Sequence, residues 1–366
     1  MSKLRIAVLF GGASTEYEVS LMSAASVLRN IPEDRYDVIK IGITKEGAWY
    51  LYSGPLHLIE QNAWQTNRYL TPAVLSPDRK SPGILHFTGR NSFEHCELLN
   101  IDCVFPVLHG KNGEDGTIQG LLEMSGIPYV GCGVQASAVC MDKVVTHTML
   151  DLAGIPGVKW RSAVPADLER LEELEPQWGR ELGYPMFVKP ANAGSSVGVT
   201  KVKQPQELRA ALELAFTIDR KAIIEEGVDG IEVETAVLGN DNPQAAAVGE
   251  IVPTQEFYSY SAKYSDESTD LYIPARITPE QTEAIREMAV RAYRALGCAG
   301  MARVDFFIRR DTGEILLNEP NTIPGFTSIS MYPKLWQYAG LPYPELIHRL
   351  IQLAFERGKN EIPLSK

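Results

Sequence analysis

The stretch RVDFFIRRDTGEILLNEPNTIPG, residues 303–325, constrains the fold more than any other part of the chain. Residues 303–309 are rich in Val, Phe and Ile and run into the turn cluster Asp311-Thr312-Gly313, the composition of a strand ending in a hairpin. Residues 315–319 supply the return strand. A register symmetric about Thr312 sets Asp305 against Glu319, Arg303 against Asn321 and Phe307 against Leu317. Side chains alternate along a strand, so these six share one face. Val304, Phe306, Ile308 and Leu316 make the opposite face, which is wholly apolar. A hairpin of this kind lays one face on a core and turns the other, acids included, toward something that tolerates them.

What tolerates them is an electrostatic question. Cross-strand partners stand about 5 Å apart at Cβ, and like charges there oppose pairing. At an effective dielectric near 20 the repulsion is on the order of 3 kcal/mol. Arg303 relieves part of it. A hard divalent cation relieves more, and the oxygens of Asp, Glu and Asn are the ligands that Mg²⁺ takes. Mg²⁺ rarely sits in an all-protein cage, so phosphate oxygens are expected to complete its shell. A solvated hairpin end fits less well, because Phe307 and Leu317 would share the acidic face.

Whole-chain properties frame this expectation. A chain of 366 residues holds roughly two or three domains. A net charge of −11 argues against a general nucleic-acid surface or an anionic membrane surface, while leaving room for an anionic ligand in a locally basic pocket. The 5 cysteines form no C-x-x-C pair, which suggests reduced thiols and a reducing compartment. The apolar run after the first methionine is too short for a signal peptide, and no segment is long and apolar enough to span a membrane. The cytoplasm is the expected location.

The chain divides into three regions. The first opens with a strand at residues 4–10, a Gly-Gly turn and a helical stretch, a βα unit of doubly wound type. Residues 36–44 and 101–110 supply further strands, with a helix at 116–126. Residues 53–97 are polar and irregular, with turn signals and no strong period. The middle region carries helices near 136–152 and 167–182 and a strand at 185–190. The third is strand-rich from 222 to 319, interrupted by a helix at 279–296 and closed by another near 344–357.

Several loops carry chemistry. In FVKPANAGSSVGV, Lys189 on a strand feeds a turn holding Gly194, Ser195, Ser196 and Gly198. Glycines let backbone N–H groups converge on an anion, and the serine hydroxyls add donors. The loop is not a Walker A motif, so phosphate binding and a flexible hairpin tip stand side by side. In residues 222–239, the strand end from Glu225 through Glu226 to Val228 can pair its backbone with a planar base, and Glu232 can accept from ribose hydroxyls; a solvated acidic hairpin is the alternative. Glu16 follows the first strand, where ligands of open α/β sheets bind, and could meet an ammonium group or simply complement a helix dipole. His109 follows another strand end, and GKNGEDG after it reads as a tight loop. The aromatic, polar loop at 253–274, with Lys263 and Tyr264 near its centre, has the length of a lid.

VKPANAGSSVGV, IEEGVDGIEVETAVLGN, MARVDFFI and NEPNTIPGFTSIS occur in the order seen in the ATP-grasp superfamily. GGASTEYEVS, HGKNGEDGTIQG, MDK and AKY narrow the resemblance to the D-alanine–D-alanine ligase family, over nearly the whole chain except residues 53–97. The resemblance implies an N-terminal Rossmann-like substrate domain (1–124) followed by an ATP-grasp fold of two α+β subdomains, central (125–218) and C-terminal (219–366). It implies ATP and two Mg²⁺ ions, for which Mn²⁺ can stand in, and a homodimer. Lys143 and Lys189 would hold ATP phosphates beneath a flap of residues 194–198. Glu225, Glu226, Val228, Glu232, Phe257, Lys263 and Asn318 would surround the nucleotide. Asp305, Glu319 and Asn321 would bind the metal ions. Glu16, with His109 nearby, would bind the ammonium of the first D-alanine, and Tyr264 would close the site by linking to Glu16 and Ser195. Arg303 and the Gly325 N–H would meet the tetrahedral oxyanion, and Ser330 would hold the second substrate's carboxylate. Tyr264, and Met331 after Ser330, favour D-alanine over D-lactate or D-serine as acceptor. Pro320 inside the metal motif removes a backbone donor, and Tyr17 beside Glu16 stands at a position the motif leaves open.

Rival readings are another ATP-grasp carboxylate–amine ligase, a nucleotide-binding protein without catalysis, and a dinucleotide oxidoreductase. The absence of G-x-G-x-x-G from the first βα turn speaks against the last.

Overall fold

The computed structural model describes residues 3–88, 95–252 and 270–360, with side chains to residue 358. Three sheets organise them. The first contains β1 (Leu4–Gly11), β2 (Tyr36–Ile43), β3 (Trp49–Tyr52), β4 (Leu70–Ser76), β5 (Gly83–Thr88), β6 (His95–Leu99) and β7 (Cys103–Pro106), in the order β6-β5-β4-β3-β2-β1-β7. Only β2, β1 and β7 run parallel. β1 reads LRIAVLFG and buries six consecutive residues, as a strand covered on both faces must. Helices α1 (Tyr17–Asn30), α2 (Leu56–Glu60) and α3 (Thr117–Ser125) accompany this sheet.

Residues 53–97, expected to be irregular, instead contribute α2 and strands that extend the sheet as an antiparallel meander. Their short alternations gave little periodic signal, and the meander is fixed by tertiary packing. Trp64 lies edge-on to Phe10 at 5.0 Å and to Tyr52 at 6.0 Å between ring centres. Its indole Nε1 donates to the Tyr17 hydroxyl at 2.7 Å, and Gln65 Nε2 donates to the same oxygen at 3.0 Å. Tyr17, the residue left open by the motif, is thereby the tether between this segment and the start of α1.

Next in the chain come α4 (Val134–Met141) and α5 (Lys143–Leu152). One helix was expected here. The chain breaks at Asp142, whose extended backbone leaves α4 and whose Oδ1 accepts the Val144 and Val145 N–H groups at 3.1 and 3.2 Å, capping α5. A second sheet follows, with β8 (Trp160–Ala163), β9 (Met186–Pro190), β10 (Thr200–Val202) and β11 (Ala222–Glu226) in the order β10-β9-β11-β8. Helices α6 (Leu171–Leu182) and α7 (Leu208–Phe216) bury Trp178, Leu182, Leu208 and Leu212 in its core cluster.

The third sheet contains β12 (Gly230–Gly239), β13 (Gln244–Val252), β14 (Asp270–Tyr272), β15 (Gly300–Arg309) and β16 (Ile315–Asn321), in the order β14-β13-β12-β15-β16. Helix α8 (Pro279–Ala295) starts with a capping box between Thr278 and Gln281, with proline at its first position. Helices α9 (Met331–Tyr338) and α10 (Tyr343–Asn360) close the described chain.

The β15–β16 hairpin pairs Arg303 with Asn321 and Asp305 with Glu319, as the sequence predicts. Toward the turn the register departs from that reading. Phe306 stands opposite Leu317 and Phe307 opposite Leu316, because the ladder shifts between Asp305 and Phe306. Asn318 is the extra residue of this bulge, and it flips the strand below it. Leu317 accordingly joins Val304, Phe306 and Ile308 in the apolar cluster instead of sharing the acidic face. Pro320 is accommodated because β16 is an edge strand among the described strands. Among the described residues no helix is long and apolar enough to cross a membrane.

Candidate active site

The three sheets converge on a cleft of about 1130 Å³, lined among others by Glu16, Lys143, Lys189, Glu225, Arg303 and Glu319. Its first wall is built from loops at the ends of β1 and β7. Gly11 and Gly12 turn with φ of 87° and 105°, and a Cβ on Gly11 would stand 2.1 Å from the Ile43 carbonyl oxygen, so no side chain fits there. The turn delivers Glu16, buried, to the start of α1. The Ser195 hydroxyl donates to Glu16 Oε1, joining the glycine-rich loop to this wall. Ser195 and Ser196 hold φ of 49° and 59°, a left-handed pair between Gly194 and Gly198. A Cβ on Gly194 would come within 2.5 Å of Glu16 Oε2, so any larger residue here would have to displace that carboxylate.

His109 is buried, with Nδ1 3.0 Å from the Ile323 carbonyl oxygen and Nε2 3.0 Å from Ser23 Oγ. Burial pushes its pKa down to about 4; the Ile323 carbonyl opposes this and the Arg303 charge adds to it. Glu114, five residues on, accepts the Gly110 N–H at 2.8 Å and the Ile323 N–H at 3.1 Å. Both backbone groups of Ile323 are thus held by the loop after β7, two residues before Gly325. Burial, then the nearby Glu16 carboxylate, push the Glu114 carboxyl upward. From sequence GKNGEDG reads as a tight loop, and its two adjacent acids give no sign that Glu114 turns inward to Ile323.

The second wall carries cations. Lys189, on β9, lies 2.5 Å from Glu225 Oε2, and His147 Nε2 lies 3.2 Å from Glu225 Oε1. Burial alone would raise the Glu225 pKa, but Lys189 and His147 outweigh it and hold it at about 2. Burial opposes the charge on Lys189, while Glu225 and Glu319 more than compensate and raise its pKa. Lys143 opens α5, donates to the Ala193 carbonyl at 2.7 Å and lies 3.9 Å from Glu319. The Glu226 carboxylate accepts from Arg309 at 2.7 Å and from the Lys159 N–H at 2.9 Å. The side chains of Glu225 and Glu226 therefore serve the protein itself, leaving the strand end through Val228 to line the cleft beside Glu232. His147, absent from the sequence reading, stacks on Trp160 with ring centres 5.8 Å apart.

The third wall is the acidic face of β12, β15 and β16. Arg303 donates to both Asp305 oxygens at 2.7 Å and pairs with Glu234 at 2.7 Å. Asn321 Nδ2 donates to Asp305 Oδ2 at 3.0 Å. Glu234 was also missed, although its two-residue spacing from Glu232 places both on one strand face. Gly325 stands where an added Cβ would lie 2.7 Å from Ser330 Oγ, and that hydroxyl accepts from the Thr327 N–H at 3.0 Å. Asn318, Ser330 and Met331 line the same cleft. Phe257, Lys263 and Tyr264 lie outside the described residues.

Asp305, Glu319 and Asn321 offer hard oxygen donors on paired positions of one hairpin, a donor set that suits Mg²⁺. Among the described residues no group of three or more His, Cys, Asp or Glu side chains is set to hold a metal unaided. The fit rests on the hard-oxygen donors of the hairpin, to which phosphate oxygens would add the rest of the shell.

Two family models match the chain, the D-ala D-ala ligase N-terminus over residues 5–132 and the D-ala D-ala ligase C-terminus over residues 149–352. The D-alanine–D-alanine ligase of Thermoanaerobacter sp. (strain X514) is 52% identical over 358 residues, covering 97% of this chain and 98% of that one. That of Caldicellulosiruptor bescii is 48% identical over the full length of both. Among solved structures, the VanG D-Ala:D-Ser ligase from Enterococcus faecalis superposes with a TM-score of 0.87 at 45% identity, covering 96% of this chain and 100% of its own. The D-alanine–D-alanine ligase from Coxiella burnetii gives 0.82 at 37% identity, covering 99% of this chain and 96% of its own. The cleft, with Lys143, Lys189 and the acidic hairpin, thus sits in a chain that belongs to the D-alanine–D-alanine ligase family, an ATP-dependent ligase of ATP-grasp fold.

Proposed function

We propose that the enzyme joins two molecules of D-alanine into D-alanyl-D-alanine at the expense of ATP, through an acyl-phosphate, to supply peptidoglycan synthesis. The observation that supports this most directly is the convergence on one cleft of Glu16 joined to Ser195, the lysines 143 and 189, and Arg303 beside the Asp305–Glu319 pair. Residues 1–124 form the substrate lobe, and 125–218 and 219–366 the two lobes that clasp the nucleotide. The chain acts in the cytoplasm as a homodimer.

Glu16 holds the ammonium group of the first D-alanine, with His109 behind it. Lys143 and Lys189 hold the ATP phosphates, the strand end through Val228 lies along adenine, and Glu232 accepts from the ribose. The first carboxylate attacks the γ-phosphate and displaces ADP to leave the acyl-phosphate, while the lysines balance charge on the transferring group. Asp305, Glu319 and Asn321 would hold two Mg²⁺ ions, which supply further neutralisation of phosphate oxygens when bound. Ser330 orients the second D-alanine by its carboxylate, with Met331 beside it. As its amine attacks the acyl-phosphate carbonyl, Arg303 and the Gly325 N–H stabilise the tetrahedral oxyanion, which then collapses with loss of inorganic phosphate. The Ser195 loop and Tyr264 would keep water off the activated acid.

Phosphate release from ATP and Mg²⁺ should depend on D-alanine and be absent with L-alanine. Release that ignores D-alanine would sink the reading. D-serine deserves its own arm because of the likeness to the VanG ligase. Faster mixed-dipeptide formation in the presence of D-serine than dipeptide formation with D-alanine alone would reassign the acceptor.

A further inference from the structure

The acidic face of the third sheet is a row and not a pair. Glu234 stands opposite Asp305 in the β12–β15 ladder, and Asp305 stands opposite Glu319 in the β15–β16 ladder. Three carboxylates therefore lie side by side on adjacent strands. Arg303 sits in the neighbouring row, between Ala236 and Asn321, and reaches back into the first. Its Nε lies 2.7 Å from Glu234 Oε2 and 2.7 Å from Asp305 Oδ1, and its Nη2 lies 2.7 Å from Asp305 Oδ2. One guanidinium thus serves two carboxylates. Asp305 belongs to the set that would hold the divalent ions, whereas Glu234, its neighbour on the adjacent strand, is 2% exposed.

This arrangement has two consequences. A cation on Asp305 competes with the bidentate hold of Arg303 on the same oxygens. When that hold weakens, Arg303 needs another anchor to keep its fork aimed into the cleft. A buried carboxylate, for its part, is stable only while a cation stays on it. We propose that Glu234 is the positioning residue for Arg303: it retains the guanidinium when the metal takes Asp305, and so makes Asp305 available to the ion without loss of the oxyanion contact. The inference rests on the ligase reading above.

Glu234→Gln keeps the size and an acceptor oxygen but removes the charge. Arg303 then has Asp305 as its stronger partner and competes harder with the ion. Binding of Mn²⁺ in the presence of a non-hydrolysable ATP analogue, followed by electron paramagnetic resonance, should weaken about tenfold with the number of ions per chain unchanged. The Mg²⁺ concentration for half-maximal rate should rise by a similar factor and kcat should fall at least tenfold, with KM for ATP at saturating Mg²⁺ unaltered. Glu234→Asp, which restores the charge one methylene short, should recover part of the metal affinity. Unchanged Mn²⁺ affinity in Glu234→Gln would overturn the proposal, as would the loss of one bound ion, which would make Glu234 a ligand. If Glu234→Gln does not fold, Glu234→Asp decides: metal affinity equal to wild type counts against the role. Wild-type protein that releases phosphate without regard to D-alanine refutes the ligase reading instead, and the Mn²⁺ titration still reads the competition between Arg303 and the ion.

Discussion

His109 shows how a single side chain can set a pH limit. Its imidazole is buried between Ser23 and Ile323, and burial holds its pKa near 4 against an ordinary value of 6.5. Between those values the unfolded chain binds a proton there and the folded chain does not, so stability is complete above pH 6.5 and is lost as pH falls toward 4. The loss is on the order of 3 kcal/mol. Thermal midpoints of wild type and His109→Asn, followed from pH 7 to 4.5, should converge as the pH drops. The difference between the two curves isolates His109, because the raised Glu114 carboxyl beside it favours the fold at low pH and loses that contribution as pH rises. At the metal motif, Glu319→Gln should abolish turnover while leaving the circular dichroism spectrum intact; full activity would remove Glu319 from the proposed ligands. Glycines, lysines and acids at motif spacing let the sequence pick out many of the residues that line the cleft. Glu114, His147 and Glu234 were not, since each acts through a partner more than 60 positions away in the chain, which spacing does not encode.

Element-scale features divide along the same line. The strand–turn–helix opening and the β15–β16 hairpin follow from local pattern. The bulge at Asn318 does not, because a one-residue slip is settled by which of Leu316 and Leu317 packs against Val304 and Phe306. The break between α4 and α5 was equally hidden: the helical period continues through it, and only the capping geometry of Asp142 reveals it. Asp142 also pairs with Lys221 and stands next to Lys143. Asp142→Ala should cost about 1–2 kcal/mol in urea denaturation and raise KM for ATP several-fold, because α5 would no longer start at a fixed point. An unchanged KM would mean that the bond to Ala193 and the contact with Glu319 position Lys143 without the cap.

At the scale of the whole molecule, the three sheets meet at the cleft, so nucleotide bound there stabilises all of them together. An ATP analogue with Mg²⁺ at a hundred times its dissociation constant should add about 2.7 kcal/mol to unfolding. A chelator should remove most of that gain, and a gain indifferent to chelation would count against metal-assisted binding. The meander in residues 53–97 belongs to this scale too. No motif marks it, yet Trp64 ties it to Tyr17 and hence to the helix that presents Glu16.

The clasp on Ile323 bears on how the enzyme breathes. Parting the loop after β7 from the chain around Gly325 would strand a buried amide and a buried carbonyl, each at about 1–3 kcal/mol. The loop after β7 and the chain around Gly325 are therefore tied into one unit. On the proposed function, admission of substrates falls to the opposite side, where the serine-bearing loop meets Glu16 through a hydroxyl that water can replace. Deuterium uptake should accordingly be slow at the Ile323 amide and fast across 194–198, and the reverse ranking would put the door on the other side.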